Sequence, residues 1–173
     1  MKKILATILI ITILSYAFLM TSCTTNNSKE VFTVGICQFV QHAALDQATQ
    51  GFMAALKAEL GEENVVFDVQ NASGDTNVCN TIAMDFASKN VDLIMANATP
   101  ALQAAYNATT SIPILGTSIT EYGVALGIDD FNGIVGGNVS GTSDLAPLDK
   151  QADMILEIYP DVKTVGIVYC TAE

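Results

Sequence analysis

The stretch VFTVGICQFVQHAALDQATQGFMAALKAEL, Val31 to Leu60, changes its hydrophobic period once, and that change decides the fold class. Val31 to Phe39 is a short run rich in β-branched and aromatic residues, which predicts a strand. Ala44 to Leu60 sets Leu45, Ala48, Phe52, Ala55, Leu56 and Leu60 three or four residues apart, which predicts a helix with one apolar face, stopped at Gly61. A strand feeding an amphipathic helix is the building unit of a parallel sheet covered by helices.

The unit repeats downstream. Asn64 to Val69 alternates Val65, Phe67 and Val69 with polar or lesser neighbours as a second strand. Asp75 caps a helix running to about Ser88 with Val78, Ile82 and Phe86 inward. Val91 to Ala96 is apolar apart from Asp92, as suits a third strand covered on both faces. Thr99-Pro100 then starts a helix with a capping hydroxyl and a proline at the first position. Ile112 to Leu115 is a fourth strand, ending in Thr117 and Ser118. Thr120 to Gly141 is glycine-rich and loses helical period; a short helix, a loop and an edge strand at Ile134 and Val135 are expected there. Pro147 to Tyr159 returns as a helix with Leu148, Ala152, Ile155, Leu156 and Tyr159 on one side, ended by Pro160. Thr164 to Cys170 is expected to be a fresh strand with no helix after it.

The first residues set the compartment. Met1-Lys2-Lys3 is a basic start, Ile4 to Met20 is apolar apart from Thr7, Thr12 and Ser15, and Thr21-Ser22 put small side chains before Cys23. That order reads as a secretory signal over residues 1–22 ending in a lipobox-like site, with Cys23 taking a diacylglycerol and residues 23–30 serving as anchor and tether. The competing reading is an uncleaved membrane helix, for which the apolar run is at the short limit. Residues 31–141 then form a first lobe, and 142–173 the crossover and opening of a truncated second one.

Past the signal the chain has five lysines, no arginine and all eighteen acidic residues, a formal charge of −13. Such a chain is repelled by phosphate backbones and anionic headgroups, which argues against nucleic-acid partners and leaves membrane attachment to the lipid. Cys37, Cys79 and Cys170 remain as an odd set without a close pair, read as small buried hydrophobes rather than as a disulfide framework or zinc site.

Catalytic patterns are sparse. His42 is the single histidine, the G-N-V-S-G run at Gly137 to Gly141 has the wrong spacing for a nucleophile elbow, and neither a phosphate loop nor a dinucleotide glycine fingerprint occurs. Asp129-Asp130 reads as a solvated turn rather than a metal site. No cofactor and no metal are implied.

Ligands of an open parallel sheet collect at the carboxyl ends of its strands. Those ends carry Gln38, Phe39 and His42; Gln70, Asn71 and Ala72; Asn97, Ala98 and Thr99; Thr117 and Ser118. The set can hold a small polar molecule but offers no strong base or nucleophile. At Asn97-Ala98-Thr99-Pro100 a helix start could attract a carboxylate or be an ordinary cap seen only by water. His42, Gln38 and Asn71 could equally serve the backbone of their own loops.

The segments VGICQFVQHAALDQATQGF, VQNASGDTNVCNTIAMDF, IMANATPALQAAYNATTSIPILGTSIT and NVSGTSDLAPLDKQADMILEIYPDVKTVGIVY, in this order, resemble ABC transporter substrate-binding proteins of the tryptophan and tyrosine type. The resemblance spans almost all of Val34 to Glu173. It implies a type I periplasmic-binding-protein-like lobe, a three-layer α/β sandwich, with the start of a second, and a hinge that closes the two over a small ligand, often an aromatic amino acid. It also implies an ABC permease as partner, and places Gln38, His42, Asn71, Ala98, Thr99 and Thr117 at first-lobe pocket positions. Glu121-Tyr122 departs from it, standing where the family often has Asp-Pro. A secreted flavodoxin-like enzyme and a lipoprotein receptor or scaffold are the alternatives. Turnover would reveal the first and an apolar protein-binding surface the second.

Overall fold

The computed structural model describes residues 31–168. The signal, Cys23 and the tether lie outside the described residues, as do Tyr169 and Cys170. Five strands make one parallel sheet: β1 (Phe32–Gln38), β2 (Val65–Asn71), β3 (Leu93–Asn97), β4 (Ile114–Ile119) and β5 (Val139–Ser143), in the order β2-β1-β3-β4-β5. The helices between them are α1 (Ala43–Leu60), α2 (Thr76–Lys89), α3 (Thr99–Ala108) and the short α4 (Tyr122–Leu126), and α5 (Leu148–Ile158) follows β5.

The faces of the sheet are covered unequally. On one side α2 and α3 bury the larger core, in which Cys79, Ile82, Ala83 and Phe86 meet Ala101, Leu102, Ala104 and Ala105 over Ile94 and Ile114. Each large apolar side chain enclosed there contributes roughly 1.5–3 kcal/mol. Packing is close enough that a Cβ built on Gly35 would fall 2.7 Å from the Phe86 ring, so β1 needs a residue without a side chain at that point. On the other side α1 alone lays Phe52, Met53 and Leu56 over a smaller cluster of Val34, Ile36, Val65 and Met95.

Several sequence expectations shift by a residue or a face. Val78 is exposed, because Cys79 and Ala83 take the inward positions of α2 beside Ile82 and Phe86. Ala55 and Leu60 of α1 also face solvent, since one helix over a twisted sheet buries only a narrow stripe. The edge strand is Val139–Ser143 and not Ile134-Val135. Gly133, Gly136 and Gly137 all have positive φ (89°, 75° and 59°), which turns the chain where a strand would have to extend. Asn138 then fixes the approach: its amide donates to the carbonyls of Thr109 (3.2 Å) and Ile112 (2.7 Å), while its own carbonyl accepts from the Ile114 amide.

The helix from 148 forms, yet Leu148, Leu156 and Tyr159 are 63%, 57% and 66% exposed, so its apolar side stands largely in water. Residues 162–168 carry no regular structure, and the strand expected from Thr164 is absent as far as Val168. Among the described residues no strand pairs with them, and a lone strand has no ladder to join.

Candidate functional site

The strand registers put the carboxyl edge in a row. Asn71 is the partner of Gln38, Gln38 of Asn97, and Asn97 of Thr117, so four residues stand side by side across β2, β1, β3 and β4. Partners in a parallel ladder point the same way, and here they point to the face that α1 covers: Gln38 and Asn97 both bond to residues of that helix. Thr142 of β5 extends the line, its hydroxyl 3.5 Å from that of Thr117.

The middle of the row is closed. Gln38 Nε2 donates to the Val40 carbonyl (3.0 Å) and to Asp46 Oδ1 (2.6 Å), and its Oε1 accepts from the Thr49 hydroxyl (2.7 Å). Asn97 Nδ2 donates to the Leu45 carbonyl (2.8 Å) and to Thr49 Oγ1 (3.0 Å). Gln38 is 5% exposed and Asn97 fully enclosed. Thr49, the one buried residue of α1, is the hub of this network. Asn97 Oδ1 is enclosed without a partner, a state costly enough to draw in a donor.

The rest of the row is open in different ways. Asn71 is exposed, and its Oδ1 accepts from the Ser73 amide (2.8 Å), shaping the loop after β2. His42 caps α1, its Nδ1 accepting from the Ala44 amide (3.3 Å), and the residue is exposed. Thr117 is half-buried, and its carbonyl accepts from the Ala98 amide (3.0 Å). A groove of about 320 Å³ runs from Ala48 and Phe52 of α1 across Met95 and Leu115 to Thr117, Ser140 and Thr142. A wider, open depression of about 810 Å³ lies on the β2 side, bordered by Gln38 and Thr49 as well as Asp46, Gln50, Asn71 and Ser73.

The start of α3 departs most from ordinary geometry. Ala98, not Thr99, occupies the cap position, with φ 90° and ψ 156°, a region that residues other than glycine rarely enter. Thr99 is the first helical residue, and no side chain caps the helix. The capping hydroxyl expected at Thr99 is therefore absent, and the amides of Thr99 and Ala101 lack a side-chain acceptor, Pro100 between them having no N–H. Ser73 (φ 53°), in the loop after β2, and Ser118 (φ 56°), at the irregularity near the end of β4, also adopt left-handed backbone. Three strained residues thus gather at one edge of one sheet, the distribution expected of a binding site.

Beneath Thr117, on the other face, Tyr122 fills the space left by Gly116 and Gly141, and its hydroxyl donates to the Thr142 carbonyl (3.2 Å). Burial, with the Asp144 carboxylate second, pushes the Tyr122 phenol up to about 12. Among the described residues no three metal-ligating side chains converge, and no helix is long and apolar enough to cross a membrane. Neither Thr49 nor Thr142 stands out from sequence as a member of the row. A threonine between Leu45 and Phe52 on the inward side of α1 was the available signal for the first.

Residues 33–173 match the family described as ABC transporter substrate binding protein. The chain belongs to that family. It is 42% identical over 149 residues to the tyrosine-binding protein of Clostridioides difficile strain R20291, an alignment covering 85% of this chain and 43% of that one. Among solved structures it resembles a conserved domain protein of Vibrio cholerae (TM-score 0.76, 36% identity) and a Streptococcus pneumoniae ABC domain in complex with L-Trp (TM-score 0.74, 32% identity). It also resembles the ligand-free, open form of a C. difficile substrate-binding protein with adhesive properties (TM-score 0.68, 44% identity). Each of these structural matches covers 83% of this chain and 49% of the other. The chain thus spans about half the length of the relatives it matches. The five-stranded parallel sheet with helices on both faces is one lobe of the type I periplasmic-binding-protein-like fold.

Proposed function

We propose that this chain is the first ligand-binding lobe of an extracytoplasmic solute-binding lipoprotein that serves an ABC importer, and that its ligand is an amino acid, with aromatic ones foremost. The observation that carries the reading is the uncapped start of α3. Held by the strained Ala98 beside Thr117, it presents backbone N–H groups and the positive end of a helix at the edge where such folds collect ligands. A carboxylate suits that position. Thr117, Thr142 and the groove toward Phe52 offer hydroxyls and apolar surface for the rest of the molecule. The names of the tyrosine-binding and L-Trp-bound relatives support an aromatic side chain.

In this reading lobe one holds the ligand and a second lobe closes over it about a hinge. The exposed apolar side of α5 fits a segment that belongs to that second lobe and is covered there. Cys23 carries the acyl chain, residues 1–22 are removed on export, and a permease receives the ligand. The reaction is capture and release, with no bond made or broken.

Calorimetry with L-tyrosine and L-tryptophan tests this. Most of the affinity of a closed cleft comes from excluding water on both sides of the ligand, so this chain binds weakly or not measurably, and a two-lobe protein containing it binds at about micromolar Kd. Micromolar binding by this chain alone would contradict the shared cage, and no binding of any amino acid by the two-lobe protein would overturn the proposal.

A further inference from the structure

Cys37 and Cys79, read from the sequence as unconnected, are brought together by the fold. Cys37 is the next-to-last residue of β1 and Cys79 lies in the first turns of α2. Both are fully enclosed in the same core cluster, where the end of β1 meets the start of α2 and each thiol adjoins the other. The backbone clamps the two segments together. The Ala72 amide donates to the Gln38 carbonyl and the Gly74 amide to the Phe39 carbonyl, both at 2.8 Å, so the loop leading into α2 is tied to the end of β1. Asp75 then caps the helix through the Asn77 amide (2.7 Å), and the Cys79 amide donates to the Asp75 carbonyl (3.1 Å).

We propose that Cys37 and Cys79 form an intramolecular disulfide when the chain meets a disulfide-bearing oxidant, a covalent link between the strand end that carries Gln38 and the helix behind it. Such oxidants act outside the cytoplasm, where the proposed function places the chain. The Cys79 thiolate attacks one sulfur of the donor R–S–S–R, breaking its S–S bond, releasing R–S⁻ and forming a mixed disulfide. The Cys37 thiolate then attacks Sγ of Cys79 and releases the second R–S⁻. Two cysteines lose two electrons, the donor gains them, and the two thiol protons end on the two released R–SH.

The order follows from the surroundings. Thr76, Asn77 and Val78 are exposed, so opening the first turn of α2 admits the donor. The link removes freedom from the unfolded chain between two elements of the core, which raises stability.

Peptide mapping of the full chain provides the test. With no arginine, and lysines at positions 29, 57 and 89, trypsin leaves Cys37 in Glu30–Lys57 and Cys79 in Ala58–Lys89. After incubation with oxidised glutathione and alkylation, these two peptides are expected joined, lighter than their sum by two hydrogens. The heat-unfolding midpoint of the oxidised chain is expected to be about 10 °C above that in dithiothreitol. Cys37→Ala and Cys79→Ala each remove the link and the oxidant-dependent shift. Recovery of the two peptides separately alkylated, glutathione retained on either cysteine without the link, or links to Cys23 or Cys170 instead would overturn the proposal. So would a midpoint shift that survives in Cys79→Ala.

Discussion

Gln38 and Thr117 stand in the same transverse row with one strand between them, yet they do different work. Gln38 is enclosed, with its amide bonded to Val40, Asp46 and Thr49. Thr117 is half-buried, bordering a groove, with its hydroxyl turned to Thr142 and its carbonyl fixing Ala98. The difference is α1, whose Asp46 and Thr49 bond to the first, while only its Ala48 and Phe52 border the groove beside the second. Neutral polar groups at a sheet edge are locked where a helix bonds to them and stay accessible where it does not.

Replacing the hub gives the largest expected effect. In Thr49→Val the Gln38 carbonyl oxygen loses its donor and Asn97 one acceptor inside the lobe, for about 2–3 kcal/mol lost in denaturant titration. An unaltered midpoint would show that the closed half is not held by this network. Next comes the strained cap. Ala104→Gly inside α3 should cost about 1 kcal/mol, whereas Ala98→Gly should leave stability unchanged or raise it by up to about 1 kcal/mol, because glycine adopts φ 90° and ψ 156° freely. Equal losses at the two positions would remove the argument for strain.

The open half rests on Tyr122, and its phenol gives a pH signature. Its folded pKa of about 12 lies above the ordinary value of 10.0, so the folded state holds the proton more tightly. The contribution is complete below about pH 10 and declines toward pH 12, with a slope of up to one proton. Tyr122→Phe should lose that component of the alkaline decline, seen by comparing denaturant midpoints of the two proteins across this range; identical declines would refute it. The smallest effect on stability belongs to Thr117→Ala, within about 0.5 kcal/mol. In a two-lobe protein the same change should weaken amino-acid binding about tenfold, which calorimetry reads directly.

The alternation of strand and helix was legible because each element buries apolar residues at its own period, from Val31 to Ala108 with boundaries off by a residue or two. Legibility failed where structure depends on a partner in space. Ile134-Val135 looks like a strand by composition, but the glycines around it turn the chain and Val139–Ser143 takes the edge. Thr164 to Val168 has strand composition with no ladder to join. The strand ends could be named from sequence, but which of them are locked could not. Gln38 and Asn97 are closed by Thr49, a contact made across 11 and 48 residues of chain. The same is true of the pairing of Cys37 with Cys79, a strand residue and a helix residue that meet only when the sheet forms.

The most direct test of the ligand edge is an amide ¹⁵N–¹H titration of the full chain with L-tyrosine and L-tryptophan at millimolar concentration. Shifts are expected to concentrate at Thr99, Ala101, Thr117 and Thr142, with the Gln38 side-chain amide and the far end of α2 at Lys89 unmoved. Shifts confined to the β2 side around Asn71 and Ser73, or no shifts at the start of α3, would contradict it.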